Sequence, residues 1–239
     1  DKLMTLVGKL IHDPDTESLI RKYLNAGAMV KGKYEKTTKG TPQGGNLSPL
    51  LSNIMLNELD KELEARGLHF VRYADDCVIT VKSSAAANRV MHTITSWIER
   101  KLGLKVNMTK TKVTTPKKLK YLGFGFWKRK EEWKARPHQE SVQKFKRELK
   151  RLTRRSWSIG MTERIKRLNW VIRGWINYFR MGNMKDAMSK IDEWLRTRIR
   201  IIIWKQWKTR EKRLWGLMKL GVPEWMARQS AGFGDHYQA

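Results

Sequence analysis

Residues 71–79 read VRYADDCVI, and the adjacent acids Asp75 and Asp76 are the side chains best suited to catalysis or metal binding. They interrupt a run that is otherwise rich in apolar β-forming residues. Neighbouring carboxylates repel each other, so the pair is unfavourable in an apolar setting unless it occupies a turn or binds a cation. A turn would use the short Asp side chains to satisfy backbone groups. A cation site would suit Mg²⁺, which prefers hard carboxylates together with substrate phosphates and can assist phosphoryl transfer.

A second motif, GTPQGGNLSP, occupies residues 40–49. Pro42 presets a turn, and Gly44 and Gly45 adopt conformations that other residues resist, which is typical of a loop. The same glycines would let the backbone approach a ligand closely, just before a helix N-terminus that favours phosphate. Neither motif is specific by itself, so both alternatives stay open for each.

The flanking sequence predicts a mixed α and β region over residues 1–127, with consecutive short strands in an antiparallel sheet backed by helices. Strands are expected on both sides of the acids over 68–81, so that the acids lie at a hairpin corner. Two more strands are expected over 105–113 and 119–127. The expected helices run from Leu3 to near Pro14, from the N-cap Asp15 to about Asn25, from the N-cap Ser48 to Gly67, and from Ser84 to Leu102.

The remainder is predicted to be a bundle of three or four helices over roughly residues 140–220. It carries most of the charge: residues 128–239 hold 29 basic and 11 acidic side chains, against 21 and 12 in residues 1–127. Ten of the eleven Trp residues lie at or after Trp127. We expect about two-thirds of them to be packing residues, with the others free to stack on bases.

The total charge of +27 indicates a polyanionic partner, with nucleic acid first and an anionic membrane surface second. The single Cys excludes an internal disulfide and, with five scattered His, a zinc finger. Cys77 is expected to be a small buried apolar residue, because no His partner is placed near it. The cysteine usage fits a reducing, cytoplasmic setting best. No apolar run is long enough to cross a bilayer, and with nucleic acid as the leading partner we expect no membrane partner.

The segments GTPQGGNLSPLLSN and FVRYADD resemble the reverse transcriptases encoded by group II introns. Residues 103–107 with 110–112, and then 121–124, resemble the next two palm motifs of that family in the same order. The resemblance implies an α+β fold: a right-hand polymerase palm, followed by an all-α thumb and maturase domain. It assigns residues 1–127 to a partial palm, 128–160 to a thumb-like helical segment and 161–239 to a maturase-type RNA-binding helical domain.

The resemblance also implies roles for individual residues. Asp75 would be a Mg²⁺ ligand and catalytic residue, with Asp76 as its supporting neighbour. Template and incoming dNTP would lie against Pro42, Gln43, Gly44 and Gly45, with Lys110 near the phosphates. The primer end would be held by a hairpin of Tyr121, Leu122, Gly123 and Phe124.

The segments RIKRLNWVIRGWINYFR and RTRIRIIIWKQWK resemble the maturase region, whose partner is group II intron RNA. Cations there can neutralise RNA phosphates. The expected RNA contacts are Arg154, Arg155, Arg164, Lys166, Arg167, Arg173, Arg198, Arg200, Lys205 and Lys208.

The family pattern is incomplete in this chain. A further catalytic Asp belongs to an earlier palm strand, and Asp1-Lys2-Leu3-Met4 resembles the end of that segment, so we expect an N-terminal truncation and weak or absent polymerisation by this chain alone. The His- and Cys-containing endonuclease of many members is also missing. Three hypotheses result: a reverse transcriptase and maturase, a splicing cofactor without polymerisation, and a retron-type enzyme, against which Gly45 and Leu47 argue. The oligomeric state stays open, with a homodimer among the alternatives.

Overall fold

The computed structural model describes residues 1–30, 33–35 and 45–233, with only the backbone described at 28–30 and 33–35. The chain divides into two compact units, Asp1–Thr114 and Thr115–Ala239.

The helices of the first unit surround two small apolar cores. One core is formed by Met4, Val7, Ile20 and Leu51, and the other by Leu59, Leu63, Ile94 and Leu102. The α-helices are α1 (Lys2–Val7), α2 (Pro14–Asn25), α3 (Ser48–Ala65) and α4 (Ser84–Trp97), the last of which continues as a π-helical turn over Ile98–Leu102.

Two antiparallel hairpins complete the described part of this unit. The first pairs β1 (Ala28–Val30) with β2 (Lys33–Glu35). The second pairs β3 (His69–Tyr73) with β4 (Asp76–Thr80), and it places the acidic pair at its corner as predicted. Alternate side chains on one face of the second hairpin, including Phe70 and Ile79, pack against the core around Leu59 and Leu63.

Four local predictions in this unit were wrong. Helix α1 ends at Val7, well before the expected end near Pro14, and residues 8–10 form a turn. The segment 105–113 forms no strand, because the Asn107 side chain accepts hydrogen bonds from the backbone N–H groups of Thr109 and Lys110 and so stabilises a turn. Helix α2 is capped by Asp13, not Asp15, since the Asp13 carboxylate accepts from the Thr16 N–H at 2.9 Å. Ser48 is already helical and follows the N-cap residue Leu47.

The second unit begins with a three-stranded antiparallel sheet in the order β5-β6-β7. Strand β5 spans Lys120–Tyr121, β6 spans Phe124–Arg129 and β7 spans Glu132–Pro137, and a short 3-10 turn at Pro116–Lys118 precedes them. The predicted thumb-like helical segment 128–160 therefore starts with strands, because residues 128–129 are the end of β6 and residues 132–137 form β7, which pairs with β6.

The division between the compact units lies between Thr114 and Thr115, and the sheet belongs to the second unit. The domain boundary expected at residue 127 stays a prediction. Phe124 stacks on Tyr178 and meets Phe179 edge to face, with ring centroids 6.0 and 4.9 Å apart. The Asn183 N–H donates to the Ala135 carbonyl at 2.9 Å. These contacts join the sheet to the helices that follow it.

Five α-helices make up the rest of the described second unit. Its largest core consists of Phe145, Leu149, Leu152, Leu168, Ile191 and Leu195. The helices are α5 (Gln139–Leu152), α6 (Met161–Phe179), α7 (Lys185–Gln206), α8 (Arg210–Lys219) and α9 (Glu224–Ala231). None of the helices in the described parts of the chain is long and apolar enough to cross a bilayer.

Candidate functional site

The acidic pair lies at a two-residue turn, closed by the pairing of Tyr73 with Asp76. Ala74 is the first turn residue and has a φ of 52°, whereas Asp75 has no positive φ, which is the sign pattern of a type II′ turn. A positive φ costs an L-residue roughly 1–2 kcal/mol. Surrounding contacts must therefore stabilise this turn.

Arg72 provides those contacts. Its Nε and Nη2 donate to the two carboxylate oxygens of Asp60 on α3, at 2.7 and 2.5 Å. Its Nη1 donates to the Asn53 side-chain oxygen at 3.0 Å and to the Ala74 carbonyl at 2.8 Å. One guanidinium thus connects the Ala74-Asp75 turn to helix α3, in a bidentate geometry that Lys could not reproduce.

The expectation that the acids lie in apolar surroundings was wrong for their own face of the hairpin. Asp75 and Asp76 are exposed, and the neighbouring side chains Val71 and Tyr73 are 61% and 66% exposed. The exposed turn by itself can accommodate two carboxylates without a cation. No group of three or more His, Cys, Asp or Glu side chains suited to a metal occurs among the described residues.

Cys77 follows the acids and packs with the core around Leu59 and Leu63, as expected for a small apolar residue. Burial raises the pKa of its thiol to about 11, with a further increase from Asp60 and an opposing effect of Arg72. The thiol is therefore protonated near neutral pH and is a poor nucleophile.

The glycine motif is described only from Gly45 onwards, so the predicted residues Pro42, Gln43 and Gly44 lie outside the described residues. A Cβ on Gly45 would collide with the hydroxyl of Tyr23 on α2. The Tyr23 and Ser48 hydroxyls are 3.3 Å apart. Gly45 therefore has a packing role at the start of α3, beside the nucleotide-binding role that the sequence predicts.

Lys110, the predicted phosphate contact, lies in the exposed turn that Asn107 stabilises. The bonds to the Asn107 side chain involve backbone N–H groups and the Thr109 hydroxyl. The Lys110 ammonium is therefore presented from a turn of defined local geometry.

The predicted primer hairpin forms between β5 and β6, where Tyr121 pairs with Phe124. Its two turn residues, Leu122 and Gly123, have φ values of 48° and 80°, the signs of a type I′ turn. Two groups donate to the Gly123 carbonyl at 2.8 Å, the His138 N–H and the Ser141 hydroxyl. The hairpin is thus held by α5; its contact with a primer stays a prediction.

Helix α6 holds the same turn from another side. The Tyr178 hydroxyl donates to the Leu122 carbonyl at 3.0 Å. A Cβ on Gly123 would lie 3.2 Å from the Phe179 ring. Both contacts fix the turn relative to the helix that carries the first maturase-like segment.

The predicted RNA contacts fall into two groups. Arg164 is 1% exposed, and its guanidinium donates to the carbonyls of Leu152, Arg154 and Trp157. The prediction that it contacts RNA was wrong, because it binds carbonyls at and beyond the C-terminus of α5. The other group comprises exposed cations, namely Arg154, Arg155, Lys166, Arg167, Arg173, Arg200, Lys205 and Lys208.

Arg198 is half-buried and has a structural role as well. It donates to the Thr153 hydroxyl at 2.6 Å and to the Thr153 carbonyl at 2.9 Å. Desolvation lowers the pKa of both Arg198 and Arg164. Arg198 therefore stabilises the α5 terminus, and its contact with RNA stays a prediction.

The Trp residues divide nearly as predicted. Six of the ten at or after Trp127 are half-buried packing residues. The exposed ones are Trp133, Trp170, Trp215 and Trp225, at 46%, 63%, 76% and 67%.

Sequence reasoning missed the residues that position the two turns. Ser141 and Tyr178 act through side-chain bonds to backbone 18 and 56 residues away, so their spacing in sequence carries no signal. Arg72 bonds to the nearby Ala74 carbonyl, but its pairing with Asp60 of α3, 12 residues away, could be found only from the fold.

Comparison with known proteins supports this description. Residues 7–126 match the family described as reverse transcriptase (RNA-dependent DNA polymerase). Residues 142–221 match the maturase-specific domain of group II introns.

Individual proteins are similar to parts of this chain. The chain is 32% identical over 145 residues to protein YkfC of Escherichia coli, covering 46% of this chain and 38% of YkfC. It is 52% identical over 59 residues to the group II intron-encoded protein LtrA of Lactococcus lactis, covering 25% of this chain and 10% of LtrA. A 91 kDa protein in the cob intron of Schizosaccharomyces pombe is 29% identical over 173 residues, covering 48% of this chain and 21% of that protein.

The chain thus spans well under half the length of these relatives. The reverse transcriptase match nevertheless covers half of this chain, and the match to the maturase-specific domain of group II introns follows it along the sequence. The chain therefore belongs to the reverse transcriptase family.

Proposed function

We propose that this chain provides the palm, thumb and maturase portions of an enzyme that copies RNA into DNA and binds its own intron RNA during splicing. The observation that carries the proposal is the Asp75-Asp76 turn, exposed at a hairpin corner and connected to α3 by Arg72, inside the segment that matches the reverse transcriptase family. An exposed, anchored acidic turn can meet a nucleotide without rearrangement of the fold.

Mg²⁺ fits the donor atoms of this turn, because carboxylate oxygens are the ligands that this ion prefers. Asp75 and Asp76 would hold it, and the ion would supply charge stabilisation for phosphoryl transfer. Since the described residues hold no group of three suitable ligands, the proposal requires a further carboxylate from outside them.

The remaining palm residues would position the reactants. Lys110 would contact the phosphates of the dNTP, and the 42–45 glycine motif would lie against template and nucleotide. The Leu122-Gly123 turn would hold the primer end, and its bonds to Ser141 and Tyr178 fix the turn in place. These roles transfer the family pattern to this chain, and residues 42–44 of the motif lie outside the described residues.

The second unit would bind RNA in the thumb-like and maturase portions, residues 128–160 and 161–239. Residues 128–239 carry a net charge of +18, and the exposed cations are available to phosphates. Intron RNA, an RNA template with a DNA primer and dNTPs are the proposed partners. A homodimer and a reducing, cytoplasmic setting remain predictions from the sequence.

Primer extension tests the polymerase part of the proposal. With an RNA template, a DNA primer, dNTPs and Mg²⁺, we expect this chain alone to give little or no cDNA, since its acidic turn needs a further carboxylate. Robust cDNA from this chain would contradict the incomplete site. If the wild-type chain did give cDNA and the Asp75→Asn variant gave none, the loss would support Asp75 as a catalytic residue.

A splicing cofactor without polymerisation is the second candidate. It is favoured by the small number of acidic ligands near Asp75, together with the basic second unit. The two candidates differ in the effect of Asp75→Asn in a protein that supplies the further carboxylate. There the substitution should leave RNA binding and splicing unchanged in both cases and reduce DNA synthesis only in the first.

A further inference from the structure

One side of helix α6 is exposed and is named here the α6 face: Thr162, Ile165, Lys166, Asn169, Trp170, Arg173 and Gly174. Their spacing of three and four residues places them on adjoining turns. The opposite side of the helix carries Leu168, which is 2% exposed in the core. The helix is thus anchored by one side and presents the other to solvent.

Trp170 lies in the middle of the α6 face and is 63% exposed. The Lys166 ammonium lies 5.2 Å from the centroid of its ring. By contrast, Trp157 and Trp175, the neighbouring Trp residues in sequence, are half-buried and pack against the core. An exposed indole next to cations is the arrangement that binds nucleobases by stacking and their phosphates by charge.

Gly174 adds an independent observation. It lies inside α6, where Gly is less favourable than Ala, and a Cβ on it would meet nothing within 4 Å. Packing among the described residues therefore gives no reason for Gly at this position. A partner that approaches the helix backbone closely beside Trp170 would supply one.

The charge of the α6 face indicates which kind of ligand it binds. Lys166 and Arg173 are exposed cations, and the set contains no Asp or Glu. The Asn169 amide can both donate to and accept from a base edge. An acid-free surface with a stacking ring suits a flexible polyanion with planar groups better than it suits a protein helix.

We propose that the α6 face binds an unpaired segment of RNA, with one base stacked on Trp170, phosphates at Lys166 and Arg173, and the RNA strand passing close over Gly174. The inference rests on the proposed RNA-binding function and specifies which surface performs it and in which state the RNA is bound. Base-paired RNA would not use Trp170, because its bases are already stacked.

The test measures the affinity of the full chain for a single-stranded RNA of about ten nucleotides and for a hairpin in which the same sequence is paired. Trp170→Ala should weaken binding of the unpaired RNA roughly tenfold, and Trp170→Phe should retain most of the affinity. Binding of the paired form should be the same in all three proteins. Trp215→Ala is the matched control, since Trp215 is 76% exposed and lies on α8.

Gly174→Ala separates loss of a contact from loss of the fold. Ala should raise the thermal midpoint of the chain, because it favours the helix and meets no neighbour. It should nevertheless weaken binding of the unpaired RNA. A variant that is more stable and binds less tightly cannot be explained by misfolding.

Unchanged affinity in Trp170→Ala, an equal loss in Trp215→Ala, or an equal loss for paired RNA would overturn the proposal. Failure of the proposed intron-RNA binding would give a different result. The wild-type chain would then bind its intron RNA no better than an unrelated RNA, whether or not Trp170 is substituted. Weak binding of unpaired RNA by the wild-type chain would also overturn the α6 proposal. It would favour a protein as the ligand of the α6 face.

Discussion

At the scale of single residues, Arg72 holds the turn that carries Asp75. Its guanidinium joins Asp60 and Asn53 of α3 to the Ala74 carbonyl, and the side chains of Arg72 and Asp60 are only 12% and 22% exposed. Removing one partner of a partly buried, bidentate ion pair costs far more than removing one partner of an exposed pair, because the other charge is left uncompensated. The strained φ of Ala74 can therefore persist in the folded chain.

Arg72→Ala should lower the free energy of unfolding by roughly 2 kcal/mol, because it leaves the Asp60 carboxylate and the Ala74 carbonyl without this donor. Urea denaturation measures the loss. Arg228→Ala serves as the control, because it removes an exposed ion pair with Glu224 and should leave the midpoint essentially unchanged. Equal effects of the two substitutions would contradict the anchoring role.

Cys77 gives a second residue-scale prediction. Because the pKa of its thiol is raised to about 11, alkylation by iodoacetamide at about pH 8 should be much slower in the folded chain than in urea. The folded rate should rise with pH towards that value. A folded chain labelled as fast as the unfolded one at about pH 8 would show that Cys77 is accessible and ionised.

The raised pKa also has a consequence for stability. The thiol in the unfolded chain ionises near pH 8.5, roughly the ordinary value. Folding keeps it protonated, so its contribution to stability is complete below that pH and is lost as the pH rises towards about 11.

At the scale of secondary-structure elements, two arginines stabilise the C-terminus of α5. Arg164 bonds to the carbonyls of Leu152, Arg154 and Trp157, and Arg198 bonds to Thr153. Carbonyls at a helix C-terminus have no partner within the helix and attract cations. These side chains therefore fix how α5, α6 and α7 pack together.

Arg164→Ala should lower the free energy of unfolding by roughly 3 kcal/mol, since one buried and two part-buried carbonyls lose a charged donor. Thermal unfolding followed by circular dichroism measures it. Arg200→Ala is the comparison, because Arg200 is exposed and its loss should leave the midpoint nearly unchanged. An unaffected midpoint in Arg164→Ala would contradict the structural role of this side chain.

The Leu122-Gly123 turn gives a further element-scale prediction. Gly123→Ala strains a residue with a φ of 80° and pushes a Cβ to 3.2 Å from both the Phe179 ring and the Ser141 hydroxyl oxygen. Gly67→Ala strains a similar φ of 65° in open space. The Gly67 variant should cost about 1 kcal/mol, and the Gly123 variant roughly 1–2 kcal/mol more.

Urea denaturation of both variants measures the difference between them. Equal costs would mean that the contacts from α5 and α6 do not hold the Leu122-Gly123 turn.

Local pattern was enough to predict the acidic hairpin and most of the helical second half. The YLGF hairpin was implied by the family resemblance instead, since the pattern predicted one strand over 119–127 where the structure has β5, a turn and β6. Alternating apolar residues and turn chemistry act over a few positions, so they can be read directly from the sequence. It was not enough for residues 105–113, where the Asn107 side chain competes with strand pairing. The role of Arg164 was also hidden, because burial of a cation depends on carbonyls from a preceding helix and loop.

At the scale of the whole molecule, charge is the dominant feature. The chain carries +27, and residues 128–239 contribute +18 of it. Binding that neutralises many phosphates weakens steeply with salt, whatever the RNA sequence. Charge by itself therefore explains affinity for RNA but not preference for an intron.

The central claim is that this chain recognises intron RNA specifically. Filter binding of the full chain across a salt series measures it most directly, with the intron RNA that encodes the chain compared with an unrelated RNA of equal length. We predict that both affinities fall with salt while the intron RNA keeps an advantage of at least about tenfold. Equal binding of the two RNAs at every salt concentration would contradict the account.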